Sequence, residues 1–193
     1  MDAPTESPFD SQPHFSDRLR VAFEPLPDAP DASSQMLLQA EARLLLTRLL
    51  ALDESTAART EEDKEPNLDL QRLERKLDLV LELLSLRLLD DGSAPPERAV
   101  RLSASAACWQ ADDDRIRDGE FGVLSVYLHR LMPRPLRLPV QVMSVQVMSL
   151  QSQRVQVRFL PLDEESEELL LRYVFLQHRR DLAGHKRTQH RRA

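Results

Sequence analysis

Two arginines three residues apart, Arg98 and Arg101 in "PERAVRLSAS", are the residues whose type and spacing most directly suggest chemistry. A guanidinium offers forked N–H donors that match phosphate oxygens and a flat face that stacks on rings. Such a pair at the entrance to a β-region therefore reads either as a phosphate clasp or as two solvated strand-edge side chains, the second reading carrying more weight. Further arginine pairs, Arg115 and Arg117 in "DDDRIRDGEF" and Arg134 and Arg137 in "PRPLRLP", are candidates for a displaced anion site if their loops reach the first pair.

Other chemistry is poorly supplied. The chain of 193 residues holds four glycines, and no GxGxxG, GxxxxGK[ST] or GxSxG occurs, which argues against nucleotide-hydrolysing, dinucleotide-dependent and serine-hydrolase activities. The one cysteine, Cys108, closes no internal disulfide, and no four-ligand Cys/His spacing builds a zinc site. Cys108 falls on an apolar parity and reads as core packing, with Trp109 beside it read as a buried ring. Three consecutive aspartates in "ADDDR" cannot all point one way, so the run reads as a solvated loop. His178, His185 and His190 lie in an Arg-rich terminus and read as part of a solvated tail. No catalytic and no metal-binding residue is assigned. The net charge of −6 excludes a general nucleic-acid binder, and no segment has the roughly 20 continuous apolar residues that span a bilayer. A cytoplasmic, non-enzymatic protein without membrane insertion is expected.

The elements that position these residues follow from periodicity. Residues 1–32 are rich in proline (Pro4, Pro8, Pro13, Pro25, Pro27 and Pro30) and read as a leader. Within it "FSDRLRVAF", at 15–23, alternates well enough for a short strand that docks elsewhere. Over 33–92 the period is helical. Leu38, Ala42, Leu45, Leu49 and Leu52 mark one helix from Ser33 to Leu52, and "DESTAARTEEDKEP" reads as a charged connector ending at Pro66. Asn67 then caps a second helix, roughly Leu68 to Leu89. There Leu70, Leu73, Leu77, Val80 and Leu84 keep the 3,4,3,4 step of a coiled-coil seam, thickened by Leu81 and Leu88. Leu79, Leu83 and Leu86 put apolar atoms on further faces, which calls for several neighbours. Self-association in a bundle meets that need, and so does an intramolecular hairpin lying on the β-region.

Beyond Pro96 the period falls to two. Val100, Leu102, Ala104, Ala106 and Cys108 form one run, followed by Leu124 to Leu128, Leu136 to Val142, Val145 with Val147, and Val155 to Phe159. The parity change between Val142 and Val145 requires a bulge or tight turn near Met143 and Ser144. The region 95–183 then reads as a small antiparallel barrel closed by a C-terminal helix, which Asp163 or Ser166 caps. Leu169, Leu170, Tyr173, Val174 and Leu176 supply its packing face, and residues 184–193 read as a basic flexible tail.

The Arg-bearing entry, the string of short strands, the segment "VRFLPLDEESEELLLRYVF" and the terminal helix together resemble a PilZ domain over about Pro96 to Leu182. With two Leu-rich helices ahead, the chain is similar to the atypical, tetrameric PilZ-like proteins of xanthomonads. The resemblance implies an α+β chain, with a six-stranded antiparallel PilZ-like β-barrel preceded by two helices in an oligomeric bundle. It also implies cyclic di-GMP-linked control of motility or virulence, self-assembly as a tetramer, and a signalling or motility protein as partner. In that family an RxxxR motif and a [DN]xSxxG motif grip the dinucleotide. Here Glu97 stands where the first arginine would, four before Arg101; Arg98 is one position off; Ser125 matches the serine; Val123 and Leu128 replace the Asp/Asn and the glycine. Arg98, Arg101 and Ser125 are thus the ligand-binding candidates of a degenerate motif. Cyclic di-GMP is not expected to bind by the ordinary route, the alternative being an atypical receptor that uses displaced arginines. Leu70, Leu73, Leu77, Val80, Leu84 and Leu88 are the oligomerisation candidates.

Overall fold

The computed structural model describes residues 9, 12–62, 73, 76–77, 79–80, 83–84, 95–112, 115–129, 132, 134–149 and 152–190. Its centre is a closed barrel of six antiparallel strands in the order β1-β2-β3-β6-β5-β4. The strands are β1 (His14–Leu26), β2 (Glu97–Ser103), β3 (Ala106–Ala111), β4 (Phe121–Tyr127), β5 (Leu136–Ser149) and β6 (Ser152–Phe159). Two helices, α1 (Ala32–Glu62) and α2 (Glu164–His190), pack on it and on each other.

β1 comes from the Pro-rich leader and is a stave of the barrel rather than a short docked strand. Its first half pairs with β2, from His14 opposite Ser103 to Arg20 opposite Glu97. Its second half pairs with β4, from Arg20 opposite Tyr127 to Leu26 opposite Phe121. Phe15, Leu19 and Val21 point inward and are buried, as the alternation at 15–23 requires. Pro25 and Leu26 extend the strand beyond the expected range because a proline is tolerated near a strand end.

Alternation holds through most of the other staves. Leu102, Leu124, Val126, Leu136, Leu138, Val140, Val142, Val155 and Val157 are almost fully buried inside the barrel. The run from Val100 to Cys108 is broken, however, by a turn at Ala104 and Ser105. There the Ser103 hydroxyl accepts from the Ala106 amide at 3.0 Å and the Ser105 amide at 3.3 Å. The turn resets parity, so Ala107 and Trp109 face inward while Cys108 faces outward and is only partly buried. The core assignment of Cys108 is therefore corrected.

The parity change in β5 is a register shift between Val142 and Ser144, a bulge at the expected place. It returns Val145 to the core only in part, and Val147 stays 78% exposed. Val147 shares the parity of Val145 but lies beyond Gln141, where the pairing of β5 with β4 ends, and is paired with β6 alone.

α1 is longer than its apolar repeat. It runs through "DESTAARTEE", read above as a connector, since Glu, Ala and Arg favour helix and no Gly or Pro intervenes before Pro66. Asp31 caps it, its carboxylate accepting from the Ser34 amide at 2.7 Å. Ala42, Leu45, Leu46, Leu49 and Leu50 join Leu170, Tyr173 and Val174 of α2 in the same core as the barrel. This face of α1 is therefore occupied within the same chain. Polar links fix the layer: Arg180 reaches both carboxylate oxygens of Asp53 at 3.0 Å, Gln177 donates to Asp53 at 3.3 Å, and Arg43 meets Glu165 at 2.7 Å.

Asp163 caps α2, its carboxylate accepting from the Ser166 amide at 2.8 Å; that bond holds its carboxyl below the usual range. The helix passes through Gly184 to His190, so the boundary placed at 184 is not a helix end. His178 bonds the His14 carbonyl at 2.5 Å, and the Ser16 amide donates to Asp181 at 3.1 Å. His178 therefore docks α2 on β1 instead of lying in a solvated tail. The Tyr173 hydroxyl donates to the Leu128 carbonyl at 3.4 Å, and burial drives its pKa well up.

In the second Leu-rich segment Leu73, Lys76, Leu77, Leu79, Val80, Leu83 and Leu84 are helical. All six apolar members are half or more exposed within the single chain. Leu70, Leu81, Leu88 and the Asn67 cap lie outside the described residues.

Two stability predictions follow from named contacts. A Cβ on Gly122 would stand 2.6 Å from the Glu24 carbonyl and closer still to the Phe23 ring. Because backbone cannot yield cheaply there, Gly122→Ala lowers stability by about 1–3 kcal/mol, read as a fall in the thermal midpoint. Asp163→Ala removes a cap and costs about 1 kcal/mol at neutral pH. Its depressed carboxyl places that contribution above the ordinary carboxylate range and removes it as pH falls through the folded value. Denaturant titrations of wild type and variant therefore converge at acid pH.

Candidate functional site

In a strand, side chains alternate between faces, so residues three apart point opposite ways. Arg98 and Arg101 both lie on β2, and the structure separates them accordingly. Arg98 shares the inward parity of Val100 at the strand's start. There it donates to the Gln110 carbonyl at 2.8 Å and pairs with Asp112 at 3.0 Å. Arg101 lies on the outer face, with its guanidinium carbon 5.5 Å from the centre of the Phe9 ring. Glu97, four residues earlier, shares the outer parity of Arg101. The position that would hold the companion arginine on that face thus carries a carboxylate.

Ser125 lies on the outer face of β4, opposite Ala22 of β1 and Arg137 of β5. Arg101 is opposite Ser16 of the same β1. Positions 16 and 22 are six residues apart along one strand, about 20 Å at ~3.3 Å per residue. Arg101 and Ser125 share a face without sharing a site. Leu128, at the glycine position, is buried in the core.

The remaining arginine candidates are also dispersed. Arg134 and Arg137 line a cleft of about 260 Å³ with Arg48, Glu41 and Leu44, where Arg137 lies 3.8 Å from Glu41 and 4.0 Å from Glu24. The Arg117 amide donates to Glu120 at 3.1 Å in the loop before β4. The cleft that holds Arg134 and Arg137 includes neither Arg98 nor Arg101.

What does gather around Arg101 is a different set. A groove of about 540 Å³ crosses β1, β2, β3 and β6, lined by Arg18, Arg101 and Arg154 together with Asp17, Gln110 and Met148 of β5. Its floor holds the small side chains Ser16, Ala99 and Cys108. Register produces this concavity: Arg18 is opposite Ala99, Arg101 is opposite both Ser16 and Cys108, and Arg154 is opposite Gln110. Large cations thus alternate with small neighbours across the strands. Arg18 and Arg154 were missed in the sequence because they belong to separate strands 136 positions apart, and only pairing brings them together. The usable signal was parity: each sits at an outward position of an alternating run.

Cys108 is not a primed nucleophile. Burial pushes its thiol above the ordinary range, outweighing the opposing effect of Arg154 and Arg101. Among the described residues no group of three or more His, Cys, Asp or Glu side chains is placed to hold a metal ion. Among those residues no helix is long and apolar enough to cross a membrane.

The barrel with its flanking helices matches a solved structure from Xanthomonas campestris, described as a tetrameric PilZ domain self-assembled via a helical bundle. That likeness has 24% identity and a TM-score of 0.68, and covers 91% of this chain and 93% of the other. A Bacillus subtilis inhibitor of motility is matched more distantly, with 18% identity, 45% and 42% of the two chains covered and a TM-score of 0.35. No match is found among curated proteins. A family model described as "atypical PilZ domain, cyclic di-GMP receptor" matches residues 46–187, from within α1 to near the end of α2. This match spans well over half of the sequence, and the closed six-stranded barrel agrees with it; the chain belongs to the atypical PilZ domain family.

Proposed function

We propose that this protein is a non-enzymatic, oligomeric PilZ signalling adaptor acting in cyclic di-GMP-linked control of bacterial motility or virulence in the cytoplasm. Its second Leu-rich segment joins copies, as a tetramer, and its barrels present a surface to a signalling or motility protein. The observation that carries the reading is the exposure of Leu73, Leu77, Val80 and Leu84. These helical positions share a heptad seam, yet remain half or more exposed within one chain. Burying an apolar side chain of this size contributes about 1.5–3 kcal/mol, so a seam of such residues favours association with its own copies. The printed description of the Xanthomonas relative, a tetramer built through a helical bundle, supports the same arrangement.

The adaptor does not use the family's ordinary ligand motif. Arg98 is held by Asp112 and Gln110, Glu97 takes the face of Arg101, and Ser125 on β4 is opposite Ala22 of β1, six residues from the Ser16 that is opposite Arg101. A second reading, a receptor that uses displaced arginines, is favoured by one observation, the groove that collects Arg18, Arg101 and Arg154.

Two measurements test the adaptor. Leu77→Pro, and separately the helix-compatible pair Leu77→Glu with Val80→Glu, reduce the mass found by light scattering from an oligomer to a single chain; an unchanged mass in both defeats the assembly proposal. In calorimetric titration with cyclic di-GMP, Arg98→Ala and Ser125→Ala leave the response of the wild-type chain unaltered. Loss of micromolar binding in those two variants would restore the ordinary motif.

A further inference from the structure

We propose that the open edge of β5, from Met143 to Val147, docks on the same edge of a second copy of this chain, the two strands running antiparallel about a dyad at Val145. This contact lies between barrels and is separate from the Leu-rich seam. Three features carry it. The first is the edge itself. Pairing of β5 with β4 ends at Gln141 opposite Phe121. The loop before β4 adds one step: the Gly119 amide donates to the Val142 carbonyl at 2.9 Å, and the Val142 amide donates to the Glu120 carbonyl at 2.8 Å. Gly119 has a left-handed φ of 81°, so the chain leaves its extended course there. From Met143 to Met148, β5 runs beside β6 on one side, and among the described residues no backbone bond reaches it from the other. A row of unpaired amides and carbonyls is a template for another strand.

The second feature is the lack of a charged guard. Natural edges are blunted by charged side chains, lysine above all. Here no residue from Leu138 to Gln153 carries a charge, in a chain that is 30% charged overall. Met143 is 43% exposed and Val147 78% exposed, so a strand laid along this edge covers apolar side chains and desolvates no ion.

The third feature is self-complementarity, and it names the occupant. In the near-repeat "VQVMSVQVMS", setting Val145 opposite its own copy sets Ser144 opposite Gln146 and Met143 opposite Val147. Polar then meets polar and apolar meets apolar. A slip of one residue sets Val145 opposite Gln146 and Ser144 opposite Val147, which mixes the two classes and so selects the register. Ser144 to Val147 keep regular register with β6, so these positions are presented as a ladder. Pairing about a dyad uses the edge of both copies and closes at two. Five residues a side cover far less than the roughly 1,200 Å² of a stable complex. The pair therefore forms in concentrated solution, or between copies that the seam already holds close.

The test is sedimentation equilibrium on the full chain carrying Leu77→Glu and Val80→Glu, which is a single chain when dilute. The expected result is a reversible dimer as concentration rises. Adding Met143→Lys with Val147→Lys sets like charges opposite each other and weakens that dimer about tenfold. Met143→Lys with Val147→Glu sets opposite charges there and restores it. Both positions are exposed, and Val147 is opposite the uncharged Gln153 on β6, so the variants keep the fold. Four outcomes overturn the proposal: a single chain at every concentration, a dimer indifferent to the two lysines, no restoration by the mixed pair, or a mass that grows beyond two chains. Equal mass of the dilute wild-type chain and the Leu77→Glu, Val80→Glu chain marks failure of the seam alone, since the edge is still read by the charge exchange.

Discussion

Everything in this molecule depends on one strand having two partners. β1 pairs with β2 through its first seven residues and with β4 through its last seven, Arg20 belonging to both ladders. Without it β2 and β4 would each expose a row of unpaired amides and carbonyls, and the sheet would be open. Closure imposes an inside and an outside on every stave. It buries the alternate apolar residues in one core and commits the intervening residues to the outer face. That division settles which arginines can cooperate: those on the outer face of adjoining staves, whatever their distance in sequence. β1 also supplies the landing site of α2 through His14 and Ser16, so the same strand closes the barrel and seats the helix.

Most of this was legible where local periodicity coincided with burial. The alternation from Leu136 to Val142, the break near Met143, and the strand ending at Phe159 all correspond to observed staves because each has one face in the core. The Asp163 cap was legible for a comparable reason, since a short acceptor before an acidic first turn satisfies amides that nothing else reaches. Errors came where a turn reset parity or where partnering is nonlocal. Val100 to Cys108 looked like one alternating run, but Ser103 gathers the amides of a turn and returns Trp109 to the core while turning Cys108 out. The Pro-rich leader reads as holding only a short docked strand at 15–23, yet Pro25 and Pro27 fall at and beyond the end of β1, where a missing amide costs little. The charged stretch after Leu52 reads as a connector because it lacks apolar repeats. Helix propensity carries α1 into it, and Asp53 at its start is tied to Gln177 and Arg180 of α2.

The candidate site was less legible than the fold. Arg98 and Arg101 were noticed because they are close in sequence, and closeness at an odd spacing is what separates them on a strand. One arginine became structural, tied to Asp112 and the end of β3. The other became part of a surface whose remaining cations lie in β1 and β6. A motif read as a string presumes a loop, where neighbours can converge; the same residues drawn into a strand are sorted by parity. Here the ladder begins at Glu97, so the clasp that a loop would allow is replaced by two arginines with unrelated environments.

The outer-face arginines carry an electrostatic consequence that depends on water. Two guanidinium groups about 10 Å apart repel by roughly 0.4 kcal/mol in a water-like medium, and by about 1.7 kcal/mol where the effective dielectric falls to 20. Exposed to solvent, the cluster of Arg18, Arg101 and Arg154, with Asp17 lining the same groove, is therefore inexpensive to hold. Covering the groove changes the balance: excluding water strengthens repulsion among the cations and strengthens even more their attraction to any anion lying between them, since each such contact is shorter than the spacing of the arginines. A neutral surface laid on this face would meet only the first effect, whereas a polyanion gains from the second. The same register that spreads three arginines over small neighbours thus discriminates by charge between what can cover the barrel here and what cannot.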